Sequence, residues 1–132
     1  MAFTSYTANL VAKAQCHGTA YQGPATVYLA LVTTEPSKTV AGTEVAVGDY
    51  ERVAFNQSTG FDDDDAGGLV TNVDVAYPEA TADYVSDVVA VEAYDADTAG
   101  NRLWFIVLMT PKPIVSGMTP KFLAGDLTLE LV

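Results

Sequence analysis

Two kinds of hydrophobic pattern organise this chain. Residues 103–109 (LWFIVLM) are apolar without interruption, too short to cross a membrane and rich in the β-branched and aromatic types that suit a pleated surface. They predict a strand buried on both faces. Residues 126–131 (DLTLEL) alternate strictly, with Leu127, Leu129 and Leu131 on one side and Asp126, Thr128 and Glu130 on the other. They predict a final strand buried on one face and running to the C-terminus. A layered β core follows from such a pair.

Elsewhere the same reading gives further strands. Residues 26–32 (TVYLALV) read as a central strand, residues 50–55 return to strand, and residues 69–75 alternate with a mixed face. A long strand is expected over residues 84–94 through Val88, Val89, Ala90 and Val91, and the turn formers of residues 95–101 (DADTAGN) connect it to the apolar run as a β-hairpin. Pro111 and Pro113 are expected to interrupt the sheet around Lys112, with Gly117 and Pro120 marking later turns. Two long loops are expected, one ending at Asp49 and one over residues 56–68, and long loops in small domains are often contact surfaces. Ahead of the strands, Thr4 or Ser5 can cap a short helix with apolar positions at Tyr6, Leu10, Val11 and Ala14 and a stop at Gly18. Thr7 and Asn9 lower its intrinsic propensity, so it needs docking onto its own sheet or another subunit. The expected fold is mainly β: a single-domain, jelly-roll-like antiparallel β-sandwich over residues 24–132, with a helix and arm in residues 1–20.

Composition narrows the function. The 132 residues are 49% hydrophobic, enough for one core without staples. A formal net charge of -11 repels phosphate backbones and anionic lipid heads, so neither nucleic acid nor membrane is an expected partner. The one cysteine, Cys16, excludes an intramolecular disulfide and fits synthesis in a reducing cytoplasm. The first residues lack a secretory-signal pattern, and no stretch reaches the roughly 18 apolar residues of a membrane span.

Candidate chemistry is sparse. Asp62, Asp63, Asp64 and Asp65 invite calcium, which wants several carboxylate oxygens at close range. Adjacent residues alternate direction, so a solvated loop tip is the default and no metal site is expected. The loop beginning at Asp95 has Asp97 and Gly100 in EF-hand positions, but Ala99 and Ile106 stand where ligands belong, so it reads as a turn. Cys16 and His17 are neighbours about 100° apart on a helix end, and no second histidine exists, so they are read as packing and capping residues. The chain has no phosphate loop or zinc spacing, and nothing singles out a carboxylate pair for acid-base work. Arg102, Lys112 and Lys121 hold half of the positive charge and are read as ordinary surface residues, with pairing across a subunit interface as the alternative. Neither an enzyme nor a cofactor is expected.

Several short pieces carry a further signal in their order and spacing: Gly18-Thr19-Ala20-Tyr21, residues 24–31 with 33–36, Gly42-Thr43-Glu44-Val45, Gly48-Asp49-Tyr50-Glu51-Arg52 and residues 75–81. The pattern continues in Tyr94-Asp95, Gly100-Asn101, Thr110-Pro111-Lys112, Gly117-Met118-Thr119 and residues 122–128. Together they resemble a family of small structural proteins of tailed bacteriophages, of the tail-fibre or head-fibre-like type. The resemblance implies a virion component made in the host bacterial cytoplasm, with no catalytic residues to carry over. The expected role is a capsid decoration or cement protein that bridges capsomers on the major capsid protein. The alternative is a tail-fibre or baseplate component, with residues 56–68 touching the host surface. A homo-oligomer, a trimer at local three-fold positions, is expected. The interface candidates are Tyr6, Leu10 and Val11 on the helix and Val40, Thr43 and Val45 in the first long loop. An enzyme or small-ligand binder on a β-sandwich is the third possibility.

Overall fold

Local signals set the first elements. A computed structural model describes residues 2–63, 65 and 67–130. Strand β1 (Ala2–Phe3) leads into helix α1 (Ser5–His17). Thr4 caps the helix by accepting a hydrogen bond from the Thr7 amide, and Gly18 ends it in the left-handed region at φ 66°, where a residue without Cβ is unstrained. The strands follow in order: β2 (Thr26–Val32), β3 (Val53–Asn56), β4 (Phe61–Asp63), β5 (Gly68–Thr71), β6 (Val75–Ala76), β7 (Val88–Tyr94), β8 (Arg102–Lys112), β9 (Lys121–Phe122) and β10 (Thr128–Glu130).

The main sheet is antiparallel with the order β1-β8-β7-β2-β3. Two small antiparallel sheets, β10-β5-β4 and β6-β9, accompany it. The fold is therefore mainly β with a short N-terminal helix, as the patterning predicts. The layers are unequal, because one face of the main sheet is covered by the small sheets and their connecting segments. Val27, Leu29 and Leu31 of β2, Val91 and Ala93 of β7, and Trp104 and Ile106 of β8 form that face. Against them pack Val45, Val75, Tyr77, Tyr84, Ile114, Phe122 and Leu127. Leu127 is buried, as its alternating segment requires. Leu131 and the expected run to the C-terminus lie outside the described residues.

Several boundaries differ from the sequence expectation, each for a local reason. The strand expected over residues 50–55 begins at Val53, because the Tyr50 hydroxyl accepts the Leu31 amide hydrogen (3.0 Å) and stands in for a backbone partner on β2. The stretch 69–75 divides into β5 and β6, which belong to different sheets. Asn72 between them donates to the Thr59 carbonyl and to Asp62, and Asp74 accepts from the Ala124 amide, so side chains draw the backbone out of the ladder. The expected loop 56–68 contains strand β4, anchored by Phe61, whose ring lies 5.0 Å from Phe55 and 6.0 Å from Trp104. Pro111 lies inside β8 rather than ending it. The ladder steps from Ala90↔Val107 to Val88↔Lys112, so Pro111 sits in a bulge where no ladder hydrogen is required. The apolar run is also less buried than its composition suggests: residues 103–106 are buried, but Val107 is exposed and Met109 is fully so.

Candidate functional site

The other face of the main sheet carries the arrangement that sequence reasoning missed. Register places Tyr28, Ala30, Glu92, Tyr94 and Phe105 on it. Glu92 is completely buried, and its Oε2 accepts from Arg102 Nη1 at 2.8 Å and from the Gly42 amide at 3.2 Å. The Tyr94 hydroxyl donates to its Oε1 at 3.3 Å. Arg102 is not the surface cation expected, nor does it wait for another subunit. Its side chain is 9% exposed, it donates to the Ser37 carbonyl at 2.6 Å, and it lies over the Phe105 ring at 5.3 Å. Lys121 does sit at the surface, 3.3 Å from Asp74. Lys112 is exposed with its ammonium 5.4 Å from the Phe122 ring.

A second pair continues the same line. Arg52 Nε meets Glu44 at 2.8 Å, and its guanidinium lies 3.8 Å over the Tyr94 ring. Its Nη1 donates to the carbonyls of Ala96 and Ala99, tying β3 to the turn between β7 and β8. Asp95 closes that turn by accepting from the Asn101 amide and side chain, so the EF-hand-like segment is a turn, as its residues predict. Burial and then the nearby Glu92 carboxylate push the Tyr94 phenol up to about 12, with Arg52 acting in the opposite direction.

These pairs fix the first long excursion across the sheet. After β2 the chain leaves and returns, so that Glu44 pairs with Val32 and the Val45 amide bonds the Leu31 carbonyl. The pairing turns Val45 into the core, where it is 7% exposed. Gly42 approaches so closely that a Cβ there would lie 2.8 Å from Val32 Cβ and would also strike the Thr34 carbonyl oxygen. Helix α1 is moored to this excursion and to β8: the Ser5 amide bonds the Lys38 carbonyl, the Thr4 amide bonds the Leu103 carbonyl, and Thr4 Oγ1 donates to the Arg102 carbonyl at 2.6 Å.

The interface candidates distribute accordingly. Tyr6 and Val11 stand outward on the helix, 45% and 39% exposed, and Leu10 is half-buried. Val40 projects from the loop that carries Lys38 and is 64% exposed. Thr43 is exposed and bonds its amide to Thr34 Oγ1. Val45 belongs to the core.

Between α1, the segment after it and the β4–β5 hairpin opens a cleft of about 740 Å³. Phe3, Tyr21, Phe61 and Trp104 supply its aromatic lining, and Asp63 and Asp65 its carboxylates. The aspartates do not act as one set. Asp62 accepts from Asn72 on the side of the strand away from Phe61, Asp63 accepts from the Asp65 amide at 2.6 Å, and Asp64 lies outside the described residues. Among the described residues, no three His, Cys, Asp or Glu side chains gather as metal ligands. Cys16 and His17 are both exposed at the helix end.

The sheet is thus clamped by internal ion pairs and holds a helix whose Tyr6 and Val11 are exposed. Residues 2–130 match the family described as podophage GP4 fiber I protein gp80, and the chain belongs to that family. It is accordingly a phage virion structural protein of a fibre family. No match to a curated protein was found.

Proposed function

We propose that this chain is a structural subunit of the tail-fibre apparatus, joined to neighbouring virion proteins through helix α1 and the loop around Val40. The family's description as a fibre protein supports this reading. One structural observation carries the choice of surface: Tyr6 and Val11 are exposed on a helix whose only buried residue is Thr7, yet Thr4 and Ser5 moor it firmly to the sheet. An exposed apolar face on a fixed mount suits assembly. Its partners are copies of itself, assembling as a homo-oligomer, and adjoining fibre or tail proteins.

The test is quantitative mass spectrometry of purified virions after separation of heads from tails. The reading expects a low copy number relative to the major shell protein and co-fractionation with tails. Recovery with heads at a simple fraction of the shell count overturns it in favour of a cement protein. A Tyr6→Glu variant, which leaves the cleft lining unchanged, checks the surface: it should fold normally yet fail to enter particles. Normal incorporation of that variant would remove the helix from the interface.

A further inference from the structure

The cleft beside α1 carries more chemistry than a mooring needs. Its lining is predominantly apolar and aromatic, and its size falls within the roughly 300–1,000 Å³ of sites that take small ligands. Among the described residues its ionic side chains are Asp63 and Asp65, and no Lys or Arg lines it. Gln57 offers no second polar set, because its amide is already engaged inside the protein. Its Nε2 donates to the Pro24 carbonyl, and its Oε1 accepts from Trp104 Nε1 at 3.2 Å. Ser58 is turned to Asn56 at 2.7 Å. A separate feature lies on the helix wall. Thr7 is 4% exposed, and its Oγ1 is a buried polar atom without a hydrogen-bond partner among the described residues. Buried hydroxyls are seldom left so, because the lost hydrogen bonds to water are not replaced.

We propose that this cleft binds a basic peptide segment of a partner protein, seating an arginine or lysine between the aromatic wall and the carboxylates of Asp63 and Asp65. Charge complementarity selects this occupant. A cation on an apolar stem matches aromatic walls with carboxylates at the rim, and a chain of net charge -11 attracts it from a distance. Seating the peptide turns the buried Thr7 hydroxyl toward the cleft, where the peptide backbone supplies the partner it lacks among the described residues. A saccharide would need several converging donors and acceptors, and those of Gln57 and Ser58 are already committed. The inference rests on the cleft alone and is independent of whether tail or shell carries the chain.

The test uses the full chain, labelled with ¹⁵N, and the tripeptide N-acetyl-Leu-Arg-Leu-amide. Saturable shifts are expected at the Trp104 indole and at the amides of Thr7, Gly67 and Gly68. N-acetyl-Leu-Glu-Leu-amide should bind at least about tenfold more weakly, and raising the salt to about 0.5 M should weaken the arginine peptide. An Asp63→Asn, Asp65→Asn variant with an otherwise unchanged spectrum should lose about tenfold in affinity, and Thr7→Val should lose a smaller factor. Equal affinity for the two peptides overturns the proposal, as does a response mapping elsewhere or no response up to about 10 mM. So does saturable binding of maltose at these residues without a response to arginine, which would mark a saccharide site. Perturbations that appear on raising protein concentration alone would show that a second copy fills the cleft, and would also overturn it.

Discussion

Replacing Glu92 by Gln should unclamp the excursion while leaving the shape of the side chain almost unchanged. In the native sheet Glu92 is wholly buried and holds Arg102 at 2.8 Å, with Gly42 and Tyr94 as its other partners. The amide oxygen, standing where Oε2 stood, still accepts from Gly42 and Arg102, but the negative charge is gone, so the Arg102 guanidinium stays desolvated without a counter-ion. Removing one side of a buried pair costs about 3–5 kcal/mol, because the other charge stays desolvated. The preserved Gly42 contact and the slight exposure of Arg102 place the expected loss near the low end, about 3 kcal/mol. That is a large part of the 5–15 kcal/mol typical of a whole domain. With a urea slope of about 1.5 kcal/mol/M, the midpoint should fall by about 2 M. Trp104 emission provides the assay, and hydrogen exchange should speed up over residues 33–43 and at the Ser5 amide, which depends on the Lys38 carbonyl. Adding Arg102→Met should recover part of the loss, since the unpaired charge is then gone. A midpoint shift below about 0.5 M, or strictly additive losses in the double variant, would refute the clamp.

The remaining expectations concern the mounting of the helix, the loop and the phenols. Gly42→Ala must displace Val32 or the Thr34 carbonyl and should cost about 1–3 kcal/mol, read as a lower urea midpoint; an unchanged midpoint contradicts the close approach. Thr4→Ala removes both the helix cap and the bond to the Arg102 carbonyl and should lower Tm by about 3–8 °C, with Thr4→Ser restoring most of it. At alkaline pH, burial raises the phenols of Tyr50, Tyr77 and Tyr94 above the value of an unfolded chain. Their contribution is complete below pH 10 and is lost as pH rises, through about 12 for Tyr94, so stability should decline over that window. Absorbance at 295 nm should show a late component near pH 12 that disappears in Tyr94→Phe, and folded protein titrating entirely near 10 would disprove it.

What was legible in the sequence was what neighbouring residues decide. The caps at Thr4 and Gly18 define α1, the apolar run defines β2, and the turn formers of residues 95–101 define the β7–β8 hairpin. The signals that failed depend on partners far along the chain. Phe61 makes a strand of an apparent loop because Phe55 and Trp104 await it, and the split at Asn72 depends on contacts with Thr59 and Asp62. The clamp was the least legible feature, since Gly42 and Glu92 are 50 positions apart and Arg102 and Ser37 are 65 apart. One signal did point to it: a lone Glu inside the apolar strand VVAVEAY must find a cation or lose its charge. Asp63 and Asp65 were visible as acids, but only the fold reveals the aromatic wall beside them.

The two faces of the main sheet divide the work in a way that explains the exposed helix. The apolar face supplies the core and draws Val45, Tyr77 and Leu127 onto it, without help from the apolar residues of α1. The charged face orders the excursion through Arg102 and Glu92, and the excursion in turn receives the helix N-terminus at Lys38. The helix is thus oriented by hydrogen bonds at one end rather than by burial of its apolar stripe. Tyr6 and Val11 consequently remain outward, as the proposed assembly role requires. A helix that instead buried these residues on its own sheet would be more stable in isolation and would have nothing left with which to assemble.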